Sequence, residues 1–166
     1  MKHTILLLYT WLIRSIFIIF PDQPIIMRCR GYFYGLGMPD CGKDFQVSAS
    51  TVLRNLENIY VGDNVYLAPN VIINAIASVT LGEQVMIGFN SVLVSGNHTL
   101  LDNSYRYGKS KVSPIIIGNG SWIGANCTVT AGTELGGGCL VAANSAISGS
   151  CLKQGIYGGV PARKLK

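Results

Sequence analysis

Residues Ile117–Ala146 read I-G-N-G-S-W, I-G-A-N-C-T, V-T-A-G-T-E, L-G-G-G-C-L, V-A-A-N-S-A, one pattern repeated every six residues. Each hexad begins with an aliphatic residue, and a small residue usually follows it. A period of six matches neither the 3.6-residue period of a helix nor the two-residue period of a strand, so the repeat itself is the structural unit. The stretch therefore predicts a β-solenoid.

The repeat extends back, less regularly, to about Cys41. Its earlier aliphatic positions are Val47, Leu53, Val61, Leu67, Ile73, Leu81, Ile87 and Leu93. Two steps, Leu53 to Val61 and Ile73 to Leu81, are eight residues long, which predicts a two-residue bulge on one side of successive turns. After Leu81 we expect the register to continue to the end. Since three hexads make one triangular turn, we expect an all-β fold of about five coils with parallel strands on three faces.

Corner residues support the same fold. Three residues after each aliphatic position stand Asn64, Asn70, Asn90, Gly96, Gly120, Asn126, Gly132, Gly138 and Asn144. Asn and Gly tolerate a left-handed backbone, which a chain that turns every six residues needs at its corners. The run Gly136–Gly138 is therefore interpreted as a corner, because a phosphate-binding loop would need a strand-to-helix context.

The first 35 residues lie outside the repeat. The apolar run from Thr4 to Phe20 predicts a helix that ends before Pro21, although Arg14 interrupts it and it is short for a membrane span. It could pack under the solenoid or on a sister subunit, or lie on the cytoplasmic face of a membrane. Spanning the membrane or directing secretion is the least favoured alternative. Residues 28–34 form a basic, aromatic connector that could face a membrane or cap the open end of the solenoid, and the capping role is favoured.

The remaining boundaries follow from where the repeat stops. We predict the solenoid over residues 36–155 and a basic tail over residues 156–166. Within the solenoid, residues 99–114 are polar, basic and without aliphatic positions, so they form an excursion loop, and loops on rigid scaffolds often carry function.

Composition limits the classes of partner. The net charge is +5, yet no basic run with interleaved aromatics occurs, which disfavours nucleic acid. The five cysteines form no CxxC pair, and Cys127, Cys139 and Cys151 recur twelve residues apart at the small-residue position of the repeat. Buried thiols in a reducing compartment are favoured over disulfides or a metal site.

The chain has two histidines, and one of them is a candidate catalytic residue. His3 is interpreted as a surface residue, whereas His98 stands where the excursion loop begins, and we expect that loop to shelter it. An imidazole can accept a proton from a hydroxyl near neutral pH, which contributes about 10²–10⁴ in rate. An ordinary polar residue at a loop mouth is the alternative.

These features together resemble the hexapeptide-repeat acyltransferases, specifically the sugar and polysaccharide O-acetyltransferases. The resemblance is carried by the hexads, His98 at the loop root, S-W-I-G-A-N at 121–126 and G-G-V-P-A-R-K at 158–164, and it covers Asn58 to Lys164. It implies a left-handed parallel β-helix, a homotrimer, acetyl-CoA between subunits as the acyl donor, and His98 as the general base. No metal is implied, since zinc enzymes on this fold need three histidine ligands.

The resemblance also implies further site residues. Trp122 matches the tryptophan beside the cofactor channel, Ala125 and Ala143 match backbone contacts to the pantetheine arm, and Ser148 matches a hydroxyl near the cofactor. Arg163 and Lys164 would lie near the nucleotide phosphates, although a solvated basic tail is the alternative. Asn70, Asn90 and Asn97 are candidate substrate contacts, and corner geometry could explain the first two.

Departures from the family bear on the acceptor. Ala68, Ala75 and Ile76 replace the polar groups with which the galactoside enzymes hold their sugar, and Gly149 replaces a lysine near the cofactor. Asp102, Glu83 or a backbone carbonyl could orient His98. We therefore expect a cytoplasmic enzyme, at the inner face of the membrane if the leader binds lipid, that acetylates a surface polysaccharide or its lipid-linked precursor. A small soluble acceptor, such as an antibiotic or a nucleotide sugar, and a non-catalytic scaffold are the alternatives.

Overall fold

The computed structural model describes residues 2–166, in which two helices precede a parallel β-solenoid. The helices are α1 (Lys2–Phe17) and α2 (Pro24–Gly35). Within the described residues, neither helix is long and apolar enough to cross a bilayer.

The solenoid contains five complete coils and the start of a sixth. In chain order its strands are β1 (Asp40–Cys41), β2 (Gln46–Val47) and β3 (Val52–Arg54); β4 (Ile59–Val61), β5 (Tyr66–Leu67) and β6 (Ile72–Asn74); β7 (Val79–Leu81), β8 (Met86–Ile87) and β9 (Val92–Val94); then the loop strands β10 (Gly96–Asn97) and β11 (Lys111–Val112); β12 (Ile115–Ile117), β13 (Trp122–Ile123) and β14 (Thr128–Thr130); β15 (Glu134–Leu135), β16 (Leu140–Val141) and β17 (Ala146–Ile147); and β18 (Ser150–Cys151), β19 (Ile156–Gly159) and β20 (Ala162–Lys164). A short 3₁₀ helix, Leu56–Asn58, follows β3.

Successive coils stack strand on strand to form three flat parallel sheets. We name them sheet A (β1-β4-β7-β12-β15-β18), sheet B (β2-β5-β8-β13-β16-β19, with β20 added antiparallel) and sheet C (β3-β6-β9-β14-β17). The predicted aliphatic positions pair across coils, as in Leu67↔Ile87 and Ile123↔Val141, and point into one continuous core. Each fully buried Leu, Ile or Val side chain contributes roughly 1.5–3 kcal/mol. The fold is the predicted left-handed parallel β-helix.

The lengths of the coils agree with the predicted bulges. Paired residues are 20 apart in the first coils, as in Ile59↔Val79, and 18 apart later, as in Ile117↔Leu135. The extra residues lie at the corner between sheet C and the next sheet A strand, which we name the CA corner. The excursion loop leaves from the same corner of the third coil.

The prediction that the register continues to the end is wrong at the last corner. The step from Ile147 to Cys151 is four positions instead of six, and residues paired between the last two coils are 16 apart. Cys151 therefore lies opposite Leu135, at an aliphatic position, and does not share the position of Cys127 and Cys139. All five cysteines are free thiols. Burial, followed by the nearby charge of Asp40, raises the pKa of Cys41 to about 11.

Eight of the nine predicted corner residues have positive φ, between 56° and 82°. The exception is Gly96, which lies in β10 and packs on Ile76, where an added Cβ would come within 2.7 Å of its Cδ1. Gly96 therefore permits a close approach at the root of the loop and forms no corner.

The N-terminal segment contains a second helix where a connector was expected. Pro24 begins α2, and Met27, Gly31 and Tyr34 recur at helical spacing on its buried face, which packs on β2. Arg30 of α2 is only 1% exposed. Its Nη1 donates hydrogen bonds to the carbonyl of Val47 (2.5 Å) and to the Asp22 carboxylate (3.0 Å). The predicted capping role of this segment is thus confirmed, although its conformation was predicted incorrectly.

The C-terminal segment is likewise ordered where a basic tail was expected. Residues 156–159 continue sheet B as β19, and β20 folds back antiparallel beside it. Tyr157 is buried at an aliphatic position opposite Val141. The segment is therefore the last layer of the solenoid, because its apolar residues still face the core.

Candidate functional site

The loop that carries His98 begins as a two-stranded ribbon at the CA corner of the third coil. β10 pairs antiparallel with β11, and Ser113 N donates to Ser95 O at 3.0 Å, so the ends of the loop are fixed to the solenoid. Beyond the ribbon the loop folds on itself, with Thr99 Oγ1 donating to Lys109 O. The scaffold thus holds the root of the loop firmly beside the flat sheets.

His98 directly follows β10 and its side chain is exposed. The imidazole has no hydrogen-bond partner within residues 2–166, so neither Asp102 nor Glu83 orients it in the single chain. The loop does not shelter His98 as expected, because Leu101 and Ser104 pair with each other in a local turn rather than covering the ring. In the single chain His98 is therefore open to solvent.

Sheet B and its corner towards sheet C, the BC corner, carry most of the predicted cofactor residues. Trp122 projects outward from β13 and is 48% exposed. Ala125 and Ala143 stack in successive coils, where Asn144 N donates to Ala125 O at 2.9 Å. Trp122 and Ala125 line a shared apolar groove of about 170 Å³ with Tyr66, Met86 and Phe89. The coils pack closely here, because a Cβ on Gly124 would lie 2.7 Å from Val141 O.

Two cations stand at the far end of the same sheet. Arg163 and Lys164 lie in β20 and are exposed, and Lys164 Nζ donates to Gln154 O at 2.9 Å. Sheet B thus runs from an apolar groove at β13 to a basic edge at β20. This polarity fits an elongated molecule with an apolar arm and a phosphorylated end.

Ser148 does not join this group. It follows β17 at the CA corner of the fifth coil, and is exposed, whereas Ala143 precedes β17 at the BC corner. The full width of sheet C lies between them. Asn97, which is exposed in β10 beside His98, belongs to the CA side as well.

Asn70 and Asn90 stack at the BC corner. Asn70 Nδ2 donates to Asn90 Oδ1 at 3.0 Å, and both residues have positive φ, 62° and 58°. Corner geometry therefore accounts for both residues, and neither lies on the same corner as His98.

A polar cavity at the CA corner was not predicted from the sequence. It has a volume of about 430 Å³ and is lined by His3, Arg54, Asn55, Glu57, Asn58, Asn74 and Ile76. His3 Nδ1 lies 2.6 Å from Glu57 Oε1, and the other carboxylate oxygen of Glu57 is buried with no partner in the described chain. Ile76 packs against Gly96, two residues before His98, which connects the cavity to the loop root. No sequence signal indicated this pairing, because the two residues are 54 positions apart.

The predicted residues thus fall on two edges of sheet C. His98, Asn97 and Ser148 lie on the CA side, and Trp122, Ala125 and Ala143 lie on sheet B or the BC side. Within the described part of the chain no group of three or more His, Cys, Asp or Glu residues could hold a metal ion.

Comparison with known proteins finds similarity in the solenoid. Residues 114–148 match the family model described as the hexapeptide repeat of succinyl-transferase. A Dictyostelium discoideum protein, provisionally named as an acetyltransferase, is 32% identical over 75 residues, which is 45% of this chain and 40% of that protein. The chain therefore spans less than half the length of this relative.

Solved structures share the whole fold. A galactoside acetyltransferase in complex with coenzyme A superposes with a TM-score of 0.85 at 24% identity, covering 99% of this chain and 80% of that one. A hexapeptide-repeat acetyltransferase of Vibrio cholerae in complex with acetyl coenzyme A superposes with a TM-score of 0.79 at 23% identity, covering 93% of this chain and 85% of that one. An N-acyltransferase of Bacillus cereus superposes with a TM-score of 0.60 at 22% identity, covering 79% of this chain and 84% of that one. The chain thus shares the left-handed β-helix fold of these structures, and residues 114–148 match the hexapeptide-repeat model.

Proposed function

We propose that the protein is an acetyl-CoA-dependent O-acetyltransferase that acts on a sugar hydroxyl, with His98 as the general base. The observation that carries this proposal is the position of His98, an exposed imidazole held at a rigid loop root beside a polar cavity. The similar structures that bind coenzyme A or acetyl coenzyme A support the choice of donor.

In the proposed mechanism, His98 accepts the proton of the acceptor hydroxyl as its oxygen attacks the thioester carbonyl. Backbone N–H groups stabilise the oxyanion. When the carbon–sulfur bond breaks, the imidazolium returns its proton to the leaving sulfur, so the histidine ends in its starting state. Bound acetyl-CoA supplies the activated acyl group.

We place acetyl-CoA along sheet B and the BC corner. Trp122 flanks the apolar arm, and Ala125 and Ala143 leave room for it and offer backbone groups. Arg163 and Lys164 bind the nucleotide phosphates. Ser148 is retained as a further cofactor contact, contributed from the CA side of another copy.

We propose a homotrimer, which the distribution of these residues supports. A cyclic arrangement brings the CA side of one copy against the BC side of the next, which unites His98 with a cofactor bound by its neighbour. The outward residues Ile72 and Val92 give the middle of sheet C an apolar surface that suits such a contact, and the charged Arg54 lies at the end of the sheet next to the helices.

We propose that the acceptor occupies the polar cavity at the CA corner. Glu57 and Asn74 can bind hydroxyl groups there, and they compensate for the absence of polar side chains at Ala75 and Ile76. The unpartnered oxygen of Glu57 favours a donor such as a sugar hydroxyl. A glycan of a cell-surface polysaccharide (O-antigen, capsule or exopolysaccharide) or its lipid-linked precursor, modified in the cytoplasm at the inner face of the membrane, is the substrate class that we favour. Asn70, Asn90 and Asn97 remain candidate acceptor contacts.

The central test is His98→Ala, which should lower the rate of acetyl transfer at least a hundredfold. Transfer is measured as CoA thiol release against a panel of glycosides, nucleotide sugars and lipid-linked glycans. Acetyl-CoA affinity, measured by calorimetry, should stay the same. Ser110→Ala, an exposed position in the same loop, is the matched control. An unchanged rate in His98→Ala would remove His98 from this role.

The same panel separates the alternatives. A soluble acceptor, for example a nucleotide sugar or an antibiotic, would react without lipid. N-acylation, as in the Bacillus cereus protein, would give a product stable to mild base, whereas an O-acetyl ester would hydrolyse. A non-catalytic scaffold would show no rise in melting temperature with acetyl-CoA.

A further inference from the structure

The outer face of α1 is apolar and exposed. Thr10 and Ile13 are buried against the solenoid, but the opposite side of the helix is as hydrophobic as the inner one. Leu8 and Trp11 are 64% and 66% exposed, and the apolar surface continues beyond the helix into Ile19, which is 80% exposed. The full set is Ile5, Leu8, Trp11, Leu12, Ile16, Ile18, Ile19 and Phe20, with Ile25 of α2, and we name it the outer apolar face.

A helix with apolar side chains on two opposite sides normally buries both sides. The buried side of α1 accounts for its attachment to the first coil, where it packs on β3 and the 3₁₀ helix. It does not account for five large apolar side chains on the other side of the same helix. Contiguous exposed apolar surface of this kind marks a binding surface.

Charge decides which occupant suits the outer apolar face. Residues 1–35 contain four of the basic residues and one acidic residue, a net charge of +3 out of +5 for the chain. The acidic residue, Asp22, is bonded to the buried Arg30. Arg28 pairs with Asp44, which leaves Arg14 as an exposed cation on α1 itself. A second copy would bring equal positive charges together, whereas an anionic lipid surface complements them.

We propose that the outer apolar face binds an anionic lipid bilayer, with α1 lying in the plane of the interface. The helix has 16 residues, too few to span the hydrocarbon core but sufficient to lie along it. Trp11 is a residue type that favours the level of the headgroups.

Binding in this manner orients the proposed active site. The helices pack on the first coil, and His98 leaves the third coil. Coils stack at the spacing of neighbouring strands, about 4.8 Å, so His98 stands roughly 10 Å beyond the coil that carries the helices. A glycan attached to a membrane lipid could reach that height.

Vesicle flotation tests the proposal directly. The full-length protein should float with vesicles of phosphatidylcholine and phosphatidylglycerol at 7:3, and much less with phosphatidylcholine alone. Leu8→Glu with Ile16→Glu should lower the partition at least tenfold. Leu101→Glu with Leu152→Glu adds the same charge at equally exposed apolar positions elsewhere and should leave the partition unchanged. Arg14→Gln should lower it about fivefold, since one interfacial cation contributes about 1 kcal/mol.

A second readout does not depend on a charged substitution. Trp11 fluorescence should shift to shorter wavelength and be quenched by brominated lipid, and Trp11→Phe should lose both effects while Trp122 remains. If the wild type fails to float with anionic vesicles, or if the Leu8/Ile16 variant floats as well as the wild type, the proposal is overturned. If the wild type does not bind vesicles and the Leu8/Ile16 variant forms a smaller oligomer than the wild type, the outer apolar face is a self-association surface instead. These outcomes are independent of acetyl transfer, which is measured on soluble acceptors.

Discussion

The two ends of the solenoid meet the same physical requirement by different means. A terminal coil has neighbours on one side only, so its backbone groups and apolar side chains must be covered. At the first coil the cover is α2, whose Met27 and Tyr34 are buried against the coil and whose buried Arg30 bonds the carbonyl of Val47 and the Asp22 carboxylate. At the last coil it is the backbone of β20, with Tyr157 filling the core. The first end therefore combines apolar packing with a buried charge network, whereas the last end uses sheet and core packing alone.

The largest expected effect is at the charged end. Arg30→Met keeps most of the side-chain volume but removes the hydrogen bonds that Arg30 donates to Val47 O, Asp22, Phe17 O and Phe20 O. Asp22 keeps its bonds from Ser48 and Ala49, so the loss should be about 1 kcal/mol for each of the four bonds, or about 4 kcal/mol of unfolding free energy. Urea unfolding at one fixed protein concentration measures it. Arg28→Met removes an exposed ion pair with Asp44 and should cost less than about 1 kcal/mol.

A double variant sharpens the interpretation. Arg30→Met with Asp22→Asn removes both charges, so it should recover part of the loss. If Arg30→Met and Arg28→Met cost the same, the buried network would not be what holds this end together.

The next effect is at the uncharged end. Tyr157→Ala should cost about 3 kcal/mol, because a large buried ring leaves a cavity. Tyr157→Phe, which loses only the hydrogen bond from the hydroxyl to Lys153 O, should cost about 1 kcal/mol. Hydrogen exchange should show faster opening in the last coil, with protection of the central coils retained. Equal loss of protection in the first coil would contradict the idea of separate ends.

The sequence predicted the middle of the molecule better than its ends. The hexads repeat one local rule, so the faces, most of the corners and the two-residue insertions were all predictable from spacing. At the ends the rule stops: α2 depends on the packing of Met27 and Tyr34 onto the first coil, and the four-residue step before Cys151 ends the register. Contacts between distant residues, such as His3 with Glu57, leave no periodic signal.

The same limit applies to the candidate site. The position of His98 at a loop root and the stacking of Ala125 and Ala143 were predictable, because they depend on the repeat. The exposure of His98 and the separation of Ser148 from Ala143 were not, because they depend on which corner each residue occupies. A site shared between copies cannot be deduced from periodicity within one chain.

A smaller effect on stability is expected when the pH is lowered, because Asp22 belongs to the charge network at the first coil. Burial acts to raise the pKa of Asp22, but hydrogen bonds from Ser48, Ala49 and Arg30 outweigh it and lower the pKa. The carboxylate therefore stabilises the fold above its unfolded pKa of roughly 3.9, and this contribution is lost as the pH falls through the lowered folded value. About a third of the side chain is exposed, so screening limits the contribution to about 1 kcal/mol.

Asp22→Asn should thus be less stable than the wild type at pH 7, and the difference should shrink below about pH 4. Thermal unfolding across this range measures it, and Asp44→Asn, which alters only the exposed pair, is the control. A difference that stays constant with pH would show that the charge of Asp22 is not what matters.

The smallest expected effect concerns acetyl-CoA binding, in which only the last coil should take part. Arg163 is exposed and bonds only the carbonyl of the preceding Ala162, so its removal should leave stability unchanged. If it contacts a phosphate of the donor, Arg163→Ala should weaken acetyl-CoA binding about fivefold, or about 1 kcal/mol, and the loss should diminish at high salt. Calorimetry at two salt concentrations measures both, with Arg28→Met at the opposite end as the control. If Arg163→Ala and Arg28→Met weaken acetyl-CoA binding equally, the cause is the general attraction of an anion to a basic protein. A local contact with Arg163 would weaken binding only when the charge at that end is removed.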